Sequence, residues 1–248
     1  MPANYPRPLL RSVIPLLVAV LLALAASPAA AQQRTQYVLA LSWQPAFCET
    51  APRRAECTSQ TADRFDASNF ALHGLWPQRM EYCDVSGRLQ QADRNRDWDE
   101  LPAPELSRAA RIALEEKMPG ARSYLDRHEW LKHGTCYGAD AEEYFADALA
   151  MLDPVNASAV RELFARNIGK ELTQKQIRAA FDDAFGRGAG LRVRVACERD
   201  GNRRIISELT IGLTGNIDGA GSYAARTMAA RPTDGGCDAG IVDAVGLQ

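Results

Sequence analysis

The chain contains three histidines, His73, His128 and His133. Two of them share one short segment, Arg127-His128-Glu129-Trp130-Leu131-Lys132-His133-Gly134-Thr135-Cys136. The third stands in Leu72-His73-Gly74-Leu75-Trp76-Pro77. If the second segment is helical, each residue advances by roughly 100°, and His128, Glu129, Lys132 and His133 fall within an arc of about 140°. His128 and Lys132 are then neighbours one turn apart, as are Glu129 and His133. Two imidazoles, a carboxylate and an ammonium on one face suit phosphoryl chemistry. Imidazole titrates near neutral pH, so one ring can take a proton while another gives one. A lysine can hold a phosphate and offset charge that develops at an attacked phosphorus. A glutamate can keep a neighbouring imidazole oriented or protonated.

Taken singly, each histidine reads more readily as a satisfied structural residue. It is the clustering of all three in two segments rich in Trp, Gly and Lys that favours the catalytic reading. A zinc-protease helix needs H-E-x-x-H, with histidines four apart. Here the spacing is five, Lys132 occupies the ligand position, and no two cysteines have C-x-x-C spacing. No metal and no other cofactor is expected. A serine hydrolase is disfavoured by the lack of a G-x-S-x-G turn.

The elements that must position these residues follow from periodicity and punctuation. Residues 36–43 (QYVLALSW) and 69–76 (NFALHGLW) read as strands, the second buried and ended by Pro77. Residues 84–102 are polar and densely charged, and read as a surface excursion. Helical spacing covers 104–118, 124–132, 141–152 with a stop at Pro154, and 158–168. Thr173 with Gln176 forms a capping box for a helix to Phe185. Residues 191–197 alternate as a half-buried strand, turn at Asp200-Gly201-Asn202, and return over 204–213. The tail from Gly215 reads as loop. Strands at both ends with helices between predict an α+β fold, a central antiparallel sheet with helices packed on one side.

Residues 1–31 carry Arg7 and Arg11, an apolar run from Val13 to Ala26 and a small-residue Ala29-Ala30-Ala31 end. They read as a secretory signal peptide, too short in its apolar run for a membrane anchor. The remaining 217 residues, 32–248, read as a single catalytic domain with no membrane association. Its charge is −4, against −2 for the whole chain, so any nucleic-acid site must be local. Six cysteines behind a leader, Cys48, Cys57, Cys83, Cys136, Cys197 and Cys237, predict disulfides in an oxidising compartment, periplasmic or secreted. Their number alone leaves 15 pairings open.

The two histidine segments, in this order and 55 residues apart, resemble the active-site segments of the ribonuclease T2 family. Residues 38–45 followed by Cys48 resemble the family's first strand, although Gln44 lengthens its Trp-Pro pair, and Met118-Pro119-Gly120 is similar to bacterial members. The resemblance implies a disulfide-bonded, metal-independent endoribonuclease with little base specificity. It implies attack by the RNA 2′-hydroxyl to give a 2′,3′-cyclic phosphate, then hydrolysis to a 3′-phosphate. His133 would be the general base, His73 the general acid and His128 a phosphate holder. Glu129 and Lys132 would stabilise the phosphorane-like state. It also implies the pairings Cys83–Cys136, Cys197–Cys237 and Cys48–Cys57. Its partner would be single-stranded RNA; DNA, lacking the nucleophile, would not be cut, and a monomer is expected.

Trp76 stands where some members stack a base, with core packing beside Pro77 as the equal alternative. By the same resemblance Gln78 stands where some members carry an acidic base-reading residue, a departure that leaves base preference open, and Tyr82 is a second candidate aromatic. Arg192 and Arg194 share a strand face, more readily solvated than phosphate-binding. The rival functions are a ribonuclease-like binding module, a metal-dependent phosphodiesterase and a disulfide scaffold. Only the last gives no reason for the histidines to cluster.

Overall fold

The computed structural model describes Met1, Arg34, residues 36–217 and residues 222–248. The chain divides into a unit of residues 1–31 and a unit of residues 32–248, and the second is described here. The leader expected over residues 1–31 lies outside the described residues.

The strands are β1 (Tyr37–Ser42), β2 (Ala71–Pro77), β3 (Glu171–Thr173), β4 (Val193–Asp200), β5 (Arg203–Leu213) and β6 (Ala239–Ile241). β1 lies between β2 and β5, and β4 runs antiparallel along the other edge of β5. The sheet is antiparallel except where β6 meets β5 at Ile205 and Ile241. The fold is therefore α+β. Leu39 and Leu41 of β1, Leu72 and Leu75 of β2, and Leu209 and Ile211 of β5 are buried, with Trp43, Phe70, Phe145, Phe164 and Phe181 packed among them.

Most elements follow from their sequence signals. Thr173 and Gln176 form the capping box of the helix Gln174–Phe185. Ser107 caps the helix Arg108–Lys117 through its hydroxyl. The strand boundaries shift by up to three residues, the most at the end of β4.

Four expectations are corrected. Residues 84–102 are not a mere excursion, because they contain a helix, Gly87–Asn95, whose Ala92 packs with Leu101 and Leu131 in a second, smaller core. Pro154 does not end its helix, which runs Ala141–Asn156. The tail holds a helix, Tyr223–Ala229, and β6. Arg192 is not on a strand face with Arg194. It lies in a 3-10 turn, buried, donating to the carbonyls of Gly188, Met228 and Ala230, whereas Arg194 is exposed beside Asp234.

Disulfides join Cys48 to Cys57, Cys83 to Cys136 and Cys197 to Cys237. The second ties the segment after β2 to the end of the helix Leu125–Lys132. The Tyr82 amide reinforces that tie by donating to the Lys132 carbonyl at 2.9 Å.

Candidate active site

β2 and the helix Leu125–Lys132 meet at the site. Along β2 the pairing with β1 steps from Leu72 to Gly74 and skips His73, a bulge. A bulge leaves its extra residue unpaired and re-aims the side chain. Tyr144, buried on the helix Ala141–Asn156, fixes the strand by donating its hydroxyl to the Leu75 carbonyl at 2.9 Å.

The helix is held from several directions. Asp126 pairs with Arg111, and Leu131 enters the smaller core. Glu129 is fully buried and turned toward β2. Its Oε2 accepts from the Trp76 indole at 2.8 Å, and its Oε1 lies 3.6 Å from His73 Nε2 and 3.8 Å from His128 Nε2. A Cβ on Gly74 would stand 2.0 Å from Glu129 Oε2, so the glycine is what lets the carboxylate approach the strand. Gly134 does the same for the Trp130 ring, 2.2 Å from where its Cβ would be.

The sequence-predicted residues thus converge. His73, His128 and His133 surround Glu129, with Lys132 beside them, 3.8 Å from Glu81. Trp76 lies edge-on to His73 at 5.3 Å and tilted against His133 at 5.5 Å. Its indole nitrogen is committed to Glu129, and its ring is half-buried in the wall of the cleft. The Gln78 amide donates to the Trp76 carbonyl.

Three residues that sequence reasoning missed complete the arrangement. Glu208 of β5 stands 2.6 Å from His73 Nδ1. Asp93, buried, stands 2.6 Å from His128 Nδ1 and accepts from the Tyr82 hydroxyl at 2.7 Å. Trp98 stacks on the His128 ring at 4.7 Å. The signal for Glu208 was that it is the lone charged residue in the strand stretch Ile205–Leu213. Asp93 and Trp98 lay in the polar stretch read as surface.

The electrostatics separate the histidines. Burial works to lower the His73 pKa, but the Glu208 hydrogen bond and the Glu129 and Glu208 charges outweigh it, and the value is pushed up to about 9. His133 is pushed down to about 3, by burial first and then by the Lys132, His128 and His73 charges. Burial raises the Glu129 carboxyl despite the histidines around it. Burial also pushes Asp93 upward, but hydrogen bonds from His128 and Tyr82 prevail and hold it low. Near neutral pH the site therefore holds one charged and one neutral imidazole, the pairing that acid–base catalysis needs. Two buried atoms there, Glu129 Oε1 and His133 Nδ1, have no hydrogen-bond partner among the described residues.

Ligand atoms of His128, Glu129 and His133 lie within 4.8 Å of one another, so the five-residue spacing does not keep them from one point. A cation there would face Lys132 and the protonated His73. An anion such as a phosphate would be attracted by both.

Two clefts meet at these residues. One, of about 710 Å³, is lined by His133, Trp76 and Gln78; the other, of about 690 Å³, by Glu208, Arg54 and Trp98. His73, His128 and Lys132 line both.

Residues 34–223 match the Ribonuclease T2 family. Ribonuclease I of Escherichia coli (strain K12) is 30% identical over 225 residues, covering 82% of this chain and 83% of that protein. Ribonuclease 1 of Arabidopsis thaliana is 26% identical over 175 residues, covering 64% and 66%. Among solved structures, RNase NT in complex with 5′-AMP superposes with a TM-score of 0.52 at 18% identity, covering 87% of this chain and 98% of that one, which shows a shared fold.

Proposed function

This chain belongs to the ribonuclease T2 family and is an endoribonuclease, and from that premise we propose that it cuts single-stranded RNA by histidine acid–base catalysis without a metal. The observation that carries the reading is the convergence of His73, His128 and His133 on one buried carboxylate, Glu129. Their surroundings push His73 up to about 9 and His133 down to about 3, which suits one as acid and the other as base near neutral pH.

In the first step, His133 takes the proton of a ribose 2′-hydroxyl, whose oxygen attacks the adjacent phosphorus. His73 gives its proton to the departing 5′-oxygen. The products are a 2′,3′-cyclic phosphate and a 5′-hydroxyl. In the second step the roles reverse: His73 activates water, His133 protonates the 2′-oxygen, and a 3′-phosphate remains. His128, fixed by Asp93 and Trp98, holds the phosphate. Lys132 offsets the charge on the phosphorane-like state, and Glu129 steadies that state from the buried side through its contacts to His73 and His128.

Trp76 borders the cleft on the His133 side and offers a ring face to the base of the attacking nucleotide. Little base preference follows from Gln78, whose amide is turned onto its own strand. DNA has no 2′-hydroxyl and is left uncut. The disulfides require an oxidising compartment, the periplasm or the exterior, reached by means of the leader at residues 1–31. Among the described residues no helix is long and apolar enough to cross a membrane. The protein acts as a monomer.

The test is a pair of single variants, His73→Ala and His133→Ala. Each abolishes cleavage while circular dichroism and thermal melting remain near wild type. Substantial activity in either variant removes the role given to that residue.

A further inference from the structure

We propose that Arg54, Arg94 and Arg96, arrayed beside the Trp98 ring, bind the phosphates of the RNA strand on the 3′ side of the cut. The direction rests on the function proposed above. His133, the base for the 2′-hydroxyl, lines only the cleft that holds Trp76, so the attacking ribose lies there. His73, the acid for the leaving 5′-oxygen, lines both clefts, so the leaving strand continues into the other.

That second cleft carries a basic wall. The Arg54 guanidinium lies over the Trp98 ring, 5.7 Å from its centroid, and Arg94 lies 5.9 Å from the Tyr82 centroid. Trp98 in turn stacks on His128, which joins this wall directly to the phosphate-holding residue. Arg94 and Arg96 are exposed, and Arg54 is half-buried. Among the described residues none of the three forms an ion pair, in contrast to Arg111, Arg194 and Arg203. The acids of the same cleft are mostly engaged. Glu208 is held by His73, Asp93 by His128 and Tyr82, and Glu56 by Ser123, leaving Glu198 exposed on β4. In a chain of net charge −2, three uncompensated guanidiniums beside a stacking aromatic are a local phosphate track.

The test uses deoxyoligonucleotides bearing a single ribonucleotide, which fixes the bond cut. A dinucleotide is compared with the same pair extended by three deoxynucleotides on either the 3′ or the 5′ side. Wild type gains more in KM from the 3′ extension. The triple variant Arg54→Gln, Arg94→Gln, Arg96→Gln loses roughly tenfold in kcat/KM on the 3′-extended substrate, and its salt slope falls by about 2. Its kcat/KM on the dinucleotide is unchanged. A control triple, Arg187→Gln, Arg199→Gln, Arg231→Gln, makes the same charge change at exposed positions outside the cleft and behaves as wild type. Equal loss in both triples, or no gain from the 3′ extension, overturns the proposal. If wild type cuts none of these substrates, the proposed function fails instead. The track is then judged by fluorescence anisotropy with an all-deoxy strand, where weaker binding by the cleft triple alone supports it and equal affinity overturns it.

Discussion

His73 Nδ1 stands 2.6 Å from Oε2 of Glu208, a residue 135 positions later, on the strand that pairs with both β1 and β4. This pair fixes the ring, so that Nε2 faces Glu129 and the cleft, and holds a proton on it. The proposed general acid, His73, is thus set by the sheet, whereas the proposed general base, His133, is set by the C-terminal end of the helix Leu125–Lys132.

Replacing Glu208 with Gln keeps the shape and removes the charge. The Glu208 hydrogen bond and charge both raise the His73 pKa, so the variant lowers it. The alkaline limb of the kcat/KM profile moves to lower pH, and activity near neutrality falls about tenfold, a modest share of a general acid's usual contribution. Titration of the His73 ring by NMR should show the same downward movement. An unmoved alkaline limb would mean that Glu208 only supports the fold.

The wild-type profile itself is a bell. Activity falls as pH drops through about 3, where His133 becomes protonated and ceases to be a base. It falls again as pH rises through about 9, where His73 loses the proton it must donate. A rate that stays level across both limits would contradict the paired-imidazole mechanism.

Asp93→Asn tests the support of His128. Asp93 is buried and serves two donors, His128 and Tyr82, so weakening both bonds costs about 1–3 kcal/mol of stability. If His128 holds the phosphate as proposed, KM rises more than kcat falls. The readouts are a thermal melt and steady-state kinetics; a change in kcat alone would reassign His128 to the chemical step.

Gly74→Ala tests the approach of Glu129 to β2. The new methyl would lie 2.0 Å from Glu129 Oε2, so the carboxylate must move and the Trp76 bond must break. We expect a stability loss of about 1–3 kcal/mol and at least a hundredfold loss of activity, since displacement of about 1 Å is costly in such sites. Near-normal kcat/KM would show that the position of Glu129 is not critical.

What the sequence revealed and what it hid have physical reasons. His128, Glu129, Lys132 and His133 were legible because they fall within about a turn and a half at the end of one helix, and local periodicity is what a sequence displays. His73 was legible through its short, distinctive segment. The partners Glu208 and Asp93 were not, because each reaches its histidine by tertiary packing, from β5 and from the helix Gly87–Asn95. That helix has a polar surface and contributes only Ala92 and Asp93 to buried space, so its sequence reads as an exposed excursion. Pro154 misled because it lies in the last turn of a long helix whose buried face, through Val155, still packs on the core. Arg192 misled because alternation with Arg194 imitates a strand, while a 3-10 turn carries it inward to three carbonyls.

The most direct test is cleavage of a defined RNA oligonucleotide by the purified, disulfide-intact protein in excess EDTA, with product ends read by mass spectrometry. The account predicts fragments ending in 2′,3′-cyclic phosphate, with 3′-phosphate accumulating later and 5′-hydroxyls opposite. Products bearing 5′-phosphates, or cleavage that returns only when a divalent metal is supplied to His128, Glu129 and His133, would contradict it.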